Sequence, residues 1–333
     1  MQLFFEERER RPRAVWRLLA QVVIFQAATF LFFAPLAAVW SLASSAETFS
    51  DGSVAAFAES PTILLFGSIS SLGAVFLSLW LAGRFFDRRP FRDFGFHLDG
   101  GWWLDLAFGL ALGAVLMSGI FLVEISLGWV RVEGTFESGL PGTLFWVALA
   151  LPILIFLCVG VYEEAFSRGY QLLNMAEGLN YPFLGPRGAI AVAWVLSSGI
   201  FGILHLGNPN ATPLSAFNIA LAGLLLGAGY ILTGELAIPI GLHITWNFFQ
   251  GNVFGFPVSG LGPVGATFLS TEQGGPDLWT GGEFGPEAGL MDPIATLIGI
   301  SLIALWVRLR RGHVGIHTSL AEPPKTVPET SEE

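Results

Sequence analysis

The sequence is poor in charge, and one basic residue type is almost missing. Only 13% of its 333 residues are Asp, Glu, Lys or Arg, against about 25% in an average globular domain, and the mean hydropathy is +0.63. The sixteen basic residues include a single lysine, Lys325, and the net charge is −10. So apolar a chain is predicted to be a membrane protein, and its negative charge argues against nucleic acid as a partner. The preference for arginine, with abundant Ala and Gly, hints at a GC-rich bacterial genome.

Several chemical signatures are also missing. The one cysteine, Cys158, lies in an apolar run and can form no intrachain disulfide. The sequence has no GxSxG and no HExxH motif, no intramembrane Ser–Lys pair and no paired intramembrane aspartates. These absences argue against a nucleophile-elbow serine hydrolase, a zincin and an aspartyl protease.

Long apolar runs dominate what is present. They predict an all-α polytopic membrane protein, a bundle of about eight transmembrane helices with a polar intramembrane cavity. The predicted spans are 14–43, 61–83, 102–129, 143–173, 188–206, 213–232, 236–254 and 291–307. The chain divides into an N-terminal cytoplasmic segment (1–13), spans 1–3 (14–136), a core of spans 4–7 (137–255), an extracytoplasmic Gly/Pro-rich loop (256–290), helix 8 (291–311) and a disordered cytoplasmic tail (312–333).

The basic residues predict the orientation of this bundle. With eight spans, fifteen of the sixteen Lys and Arg residues fall on the side of the termini, and only Arg131 falls on the other. Because cytoplasmic loops carry the excess of Lys and Arg, both termini are expected to be cytoplasmic. We therefore expect a multi-pass protein of the cell inner or plasma membrane, with the lipid bilayer as its surroundings.

Two adjacent acids and an arginine interrupt the apolar fourth span. Ionisable groups at membrane depth are costly, so they indicate a functional site by default. Glu164 and Arg168 are four residues apart and share a helical face, which predicts an ion pair. Glu163 is rotated by about 100° from Glu164 and is expected to point into a cavity. The alternative is an ion pair with one acid that snorkels at a helix end.

Three more polar side chains lie in later apolar spans. His205 ends span 5, and His243 and Asn247 share one face of span 7 because they are four residues apart. A single intramembrane histidine usually makes a helix–helix hydrogen bond. Two histidines, an amide and an unpaired carboxylate in three separate helices are more simply explained by one shared polar pocket.

Such a set supports two chemical schemes, and both end in hydrolysis of an amide. In the first, Glu163 beside a neutral histidine deprotonates water, and His243 with Asn247 stabilises the oxyanion. In the second, Glu163, His205 and His243 bind a divalent metal ion such as zinc, with an open position for water. The donor pair His243 and Asn247 slightly favours the first scheme.

The depths of these side chains in the membrane decide whether they can meet in one pocket. Counted from the basic ends of their spans, Glu163 and His243 lie about 15 Å deep, whereas His205 lies about 27 Å from Arg187. The side chains can meet only if span 4 is shifted or span 5 begins well outside the membrane.

Together these motifs resemble a known family. Glu163-Glu164-x-x-x-Arg168, Phe201-x-x-x-His205 and His243-x-x-x-Asn247 are similar, in order and spacing, to the three motifs of the CPBP family. This family, also called Abi, contains the bacterial relatives of the type II CAAX prenyl endopeptidase. The resemblance covers residues 142–254. It implies a membrane-embedded endopeptidase, glutamate-dependent or metallo-type, that cleaves a membrane-associated peptide or protein. It places Glu163 and His205 on the attacking water, and His243 and Asn247 on the oxyanion.

Other functions and one further motif remain in view. A non-catalytic bacteriocin-immunity or scaffold protein, or a proton-coupled transporter that uses Glu163 and His205, is the alternative to the enzyme.

The stretch 279–287, Trp-Thr-Gly-Gly-Glu-Phe-Gly-Pro-Glu, resembles a subset of bacterial members of the family. It is interpreted first as a turn-rich loop and second as a lid or substrate-binding element.

Overall fold

The structure is a computed structural model that describes residues 4–6, 11–43 and 60–324. It is mostly helical, which confirms the predicted all-α polytopic class. The helices are α1 (Ala14–Ala43), α2 (Pro61–Ala82), α3 (Gly100–Ser126), α4 (Phe145–Glu164), α5 (Leu173–Gly178), α6 (Gly185–Leu204), α7 (Pro213–Thr233), α8 (Ala237–Phe248), α9 (Asp277–Thr280) and α10 (Met291–Arg311). Two antiparallel pairs of strands accompany them: β1 (Phe5–Glu6) with β2 (Arg11–Pro12), and β3 (Val130–Ser138) with β4 (Ala266–Gln273).

Seven stretches of the described residues are long and apolar enough to cross a membrane. They correspond to predicted spans 1 to 6 and 8. Predicted span 7 differs, because α8 has only 12 residues before a short π-helical turn, Phe249–Val253. Its first six residues, 237–242, are all buried. Since other helices rather than lipid surround it, α8 need not match the thickness of the bilayer.

The helix ends meet at two opposite faces of the bundle. The basic face contains the start of α1 and the ends of α2, α5 and α10. The loop face contains β3, β4 and residues 256–290. The short helix α8 also runs between them, because Leu236 N–H donates to Gly95 O at the basic face (3.0 Å) and Phe254 stacks on Phe121 near the loop face (4.2 Å). The orientation of these faces relative to the cytoplasm stays a prediction.

The loop face has more regular structure than the sequence predicted. β3 and β4 form an antiparallel ribbon with a register shift between Val132 and Gly134. Arg131, the basic residue predicted outside, pairs there with Glu272 at 2.7 Å. Beyond β4, short helical turns fill the stretch that was expected to be a plain Gly/Pro-rich loop. The alternating polar residues of these strands gave only a weak signal beside the apolar spans.

Glycines bring α3 and α8 into close contact. A Cβ at Gly109 would collide with the carbonyl oxygen of Ile238, and one at Gly113 with that of Leu242. This is the small-xxx-small arrangement that lets membrane helices approach closely. The interface fixes α8 along α3 and thereby sets the position of its polar residues.

At the basic face, several of the counted arginines are buried in an ion cluster. Arg17 Nη1 lies 2.6 Å from Asp87 Oδ1 and 2.9 Å from Glu177 Oε2. Arg11 and Arg89 also pair with Glu177. The cluster ties the N-terminal segment to the ends of α2 and α5, and mutual pairing offsets the cost of burying these charges.

Part of the tail also differs from the prediction of disorder. His317 N–H donates to Ile231 O (2.8 Å), and Asn180 Nδ2 donates to Ala321 O (2.9 Å). Leu320 and Ala321 are buried in the core. Residues 312–324 therefore dock on the basic face through two apolar side chains and backbone hydrogen bonds, while residues 325–333 lie outside the described residues.

Helix α1 lies at the periphery of the bundle. Only 6% of its most apolar window is buried, whereas the other candidate spans have 33% or more. Apart from the ion cluster, Gln21 is its main polar link: its amide nitrogen donates to Ser78 (3.1 Å) and its carbonyl accepts from Gln171 (2.7 Å).

Candidate active site

The acids lie where α4 changes its helical geometry. Glu163 and Glu164 are the last residues of α4, and Ala165–Leu172 form a π-helical turn that continues into α5. Such turns are rare and are frequent at functional sites. The combined helix runs 34 residues, Phe145–Gly178. Glu163 lies fifteen residues before its end, or about 22 Å, so the longer helix supplies the shift that convergence with His205 requires.

The ion pair expected from the spacing is present. Arg168 Nη1 donates to Glu164 Oε1 at 2.8 Å, and the two side chains are 1% and 0% exposed. Arg168 Nη2 also donates to Gly223 O on α7 (3.1 Å), and the guanidinium lies 4.5 Å from the centre of the Phe201 ring on α6. Arg168 therefore links α4 to two other helices of the core.

His243 connects the two adjacent acids. Its Nδ1 lies 2.8 Å from Glu164 Oε1, and its Nε2 lies 3.9 Å from Glu163 Oε2. Glu164 thus accepts hydrogen bonds from both Arg168 and His243, and it orients the imidazole with Nε2 towards Glu163. The sequence reasoning treated Glu164 only as the partner of Arg168 and missed this second contact.

A glycine makes the contact between α4 and α8 possible. A Cβ at Gly160 would lie 2.6 Å from the Ile244 side chain. Gly160 is one turn before the acids, and Ile244 follows His243. Without a side chain at position 160, α8 comes close enough for His243 to reach both carboxyl groups.

His205 directly follows the last residue of α6, and a hydrogen bond fixes its tautomer. Its Nδ1 lies 2.7 Å from Phe201 O, an acceptor only, so Nδ1 carries the proton and Nε2 of the neutral ring can accept one. The Phe201 ring lies 4.7 Å from the His205 ring and 6.3 Å from the His243 ring, between centroids. The Phe201 ring therefore packs near both imidazoles and against the Arg168 guanidinium.

All four predicted catalytic side chains line one cavity of about 670 Å³. Glu163, His205, His243 and Asn247 reach it from α4, the end of α6 and α8. Glu164 and Arg168 lie behind this wall and do not line the cavity. The Glu163 side chain is 22% exposed, and Tyr162 donates a hydrogen bond to its Oε1 (3.2 Å). One partly exposed carboxylate is thus available to water inside a mostly apolar chamber.

The cavity extends to both faces of the bundle. Val22, Phe25 and Gln26 of α1 form part of one wall, and Gln171 and Met175 lie towards the basic face. Ser259, Leu261 and Glu287 close it towards the loop face. Glu287 is the one residue of the stretch 279–287 that lines the cavity.

The donors do not form the three-ligand metal set that the second scheme requires. The described residues contain no group of three or more His, Cys, Asp or Glu side chains placed to hold a metal ion. Glu163 and His243 approach each other, but His205 does not complete a set with them. In this arrangement the described residues do not fit a zinc site.

Comparisons with known proteins follow the same segment of the chain. Residues 144–249 match the family model described as Type II CAAX prenyl endopeptidase Rce1-like. Over 174 residues the chain is 25% identical to the uncharacterized protein YyaK of Bacillus subtilis (strain 168), which covers 51% of this chain and 54% of that protein. The chain thus spans about half the length of this relative. No solved structure matches. The resemblance indicated by the three motifs is confirmed: residues 144–249 match the type II CAAX prenyl endopeptidase-like family, within a mostly helical chain that has several apolar helices long enough to cross a membrane.

Proposed function

We propose that the protein is a membrane-embedded endopeptidase that hydrolyses a peptide bond of a membrane-associated protein or peptide. One observation carries the proposal: Glu163, His205, His243 and Asn247, from three different helices, line one cavity with a carboxylate open to water. The family match supports a protease-type enzyme.

Glu163 is the general base. In the proposed reaction a water beside Glu163 and His205 Nε2 gives its proton to Glu163 while its oxygen attacks the amide carbonyl carbon. The free Nε2 of His205 accepts the second hydrogen of that water and orients it. The water and the carbonyl must be held in one chamber, and the cavity volume is sufficient for both.

The other side chains stabilise the oxyanion. Asn247 lies one helical turn after His243 on the same face, so both donate to one oxygen. Because His243 Nδ1–H already donates to Glu164, Nε2 donates to the oxyanion only when the ring is an imidazolium. The Glu164 carboxylate stabilises that cation throughout, and the Glu163 carboxylate stabilises it until Glu163 takes the proton of the water. The C–N bond then breaks, and the proton on Glu163 passes to the leaving amine.

The test uses a substitution that removes the base and keeps its shape. The membrane peptidomes of cells with the wild-type protein and with Glu163→Gln are compared, and cleavage products are expected only in the first. Glu133→Gln serves as the matched control, because Glu133 is exposed on β3, at the loop face. Identical peptidomes for wild type and Glu163→Gln, with both proteins folded in the membrane, would contradict the proposal and leave the scaffold alternative.

A further inference from the structure

Glu287 is a buried carboxylate at the cavity that the proposed reaction does not use. The residue is 6% exposed and lines the same chamber as Glu163. It lies in a 3-10 turn, Pro286–Ala288, at the loop face. A buried carboxylate that faces a cavity is costly without a partner, which makes it a candidate binding group.

The loop face holds this carboxylate in a fixed position. Ser259 N–H and Oγ–H donate to Glu287 Oε2 at 2.6 and 2.9 Å. Asn208 Nδ2 donates to Ser259 O (3.0 Å), and Gly260 N–H donates to Phe284 O (2.9 Å). Asn208 follows the turn that contains His205. One Glu287 oxygen is therefore locked to the frame that carries a catalytic histidine, while no hydrogen bond is seen at Oε1 within the described part of the chain.

The charges around the cavity have one sign at this end. The cavity-lining residues within the described ranges include two carboxyl groups, Glu163 and Glu287, and no lysine or arginine. A free carboxylate of a bound peptide would be repelled here, whereas an ammonium or guanidinium group would be attracted.

We propose that Glu287 binds a cationic group, ammonium or guanidinium, of the peptide that occupies the cavity. It thereby selects apolar peptides with a basic residue on the loop-face side of the scissile bond. This inference rests on the proposed endopeptidase function and names its substrate class. The competing explanation is that Glu287 only ties residues 282–288 to Ser259, and the experiment separates the two.

The experiment measures binding without turnover. The full-length protein carries Glu163→Gln and is reconstituted in lipid nanodiscs. The probes are fluorescent Leu/Ala decapeptides with one lysine at each scanned position, and matched peptides with norleucine or glutamate in its place. Because a charge-assisted hydrogen bond in an apolar site is strong, lysine is expected to improve affinity by about tenfold or more at one position, and glutamate to weaken it.

Two variants test whether Glu287 is the residue that causes the preference for lysine. Glu287→Gln keeps an oxygen that accepts from Ser259 and should reduce the lysine-to-norleucine ratio to about one. Glu283→Gln is the matched control, because Glu283 lies on the same loop, is exposed and is absent from the cavity wall; the ratio should stay unchanged. The inference is overturned if the protein with the unmodified loop gives a lysine-to-norleucine ratio near one at every scanned position of the peptide. It is also overturned if a lysine preference survives Glu287→Gln. The first comparison needs no loop variant, so it decides even if Glu287→Gln fails to fold: in the Glu163→Gln protein, Glu287 is the one carboxyl group left among the described residues that line the cavity.

The outcomes also separate this inference from the function on which it rests. A lysine preference in binding, together with no cleavage by the protein that retains Glu163, would refute the endopeptidase and leave the cation site. Cleavage without any lysine preference would refute the cation site and leave the endopeptidase.

Discussion

Removing the charge of Arg168 should cost far more stability than removing that of a surface arginine with an equally short ion pair. Arg168 and Glu164 are 2.8 Å apart and 1% and 0% exposed. Arg131 and Glu272 are 2.7 Å apart but 73% and 61% exposed. The two pairs have nearly the same geometry and differ in burial.

Methionine keeps the unbranched apolar stem of arginine, so the substitution mainly removes the charge. Arg168→Met leaves Glu164 as a fully buried carboxylate whose one remaining partner is His243. Breaking a buried pair in this way costs about 3–5 kcal/mol. Arg131→Met breaks an exposed pair that contributes about 0–1 kcal/mol.

The assay is reversible unfolding of the purified protein in mixed detergent and SDS micelles. It gives the free energy of unfolding for each variant. The double variant Arg168→Met with Glu164→Gln removes both charges and should recover part of the loss, because no uncompensated charge remains. If Arg168→Met loses no more stability than Arg131→Met, Glu164 is not a buried anion that depends on Arg168, and the assigned Glu164–Arg168 ion pair is wrong.

Four further outcomes follow from the site and the bundle. Asn247→Ala should lower kcat by about 10²–10³-fold and Glu163→Gln by more, in single-turnover assays, since one removes an oxyanion donor and the other the base; equal activity of Asn247→Ala and wild type would exclude the donor role. Strong chelators should leave cleavage unchanged, and stoichiometric zinc that restores activity after removal would disprove the metal-free scheme. Gly109→Val should destabilise the protein by about 1–3 kcal/mol in the same unfolding assay, because its side chain meets a backbone carbonyl of α8; unchanged stability would contradict the close packing. Partial burial, reinforced by Arg311, lowers the pKa of His317; the docked tail favours the neutral ring, so docking should weaken as the pH falls from about 7 to 5, seen as faster hydrogen exchange of residues 313–321 that His317→Gln makes independent of pH.

The sequence predicted the helical class and the residues that meet at the cavity. Spacing alone indicated that Glu164 pairs with Arg168 and that Glu163 is left for a separate role. Both follow from helix periodicity, which a sequence records directly. Apolar runs likewise indicated the spans, because each must be long enough to cross the bilayer.

Other features depend on three-dimensional neighbours that spacing does not record. The contact of His243 with Glu164 joins residues 79 positions apart and depends on Gly160. The π-helical turn after Glu164 has no apolar period of its own to mark it. The short helix α8 was predicted as an ordinary span because its sequence is apolar, and only its burial among other helices shows why it can be short.

The position of α1 has a consequence for how a substrate arrives. On the proposed function, an apolar peptide in the bilayer must pass between helices to reach the chamber. Helix α1 forms part of the chamber wall, yet most of its surface faces outward, and its charged anchors are concentrated at the basic face. Among the candidate spans of the described residues, α1 has the smallest buried share, so moving it aside would expose little buried surface. On the proposed function, an entry route beside α1 lies outside residues 144–249, so a change in α1 would alter access to the chamber without altering the side chains inside it.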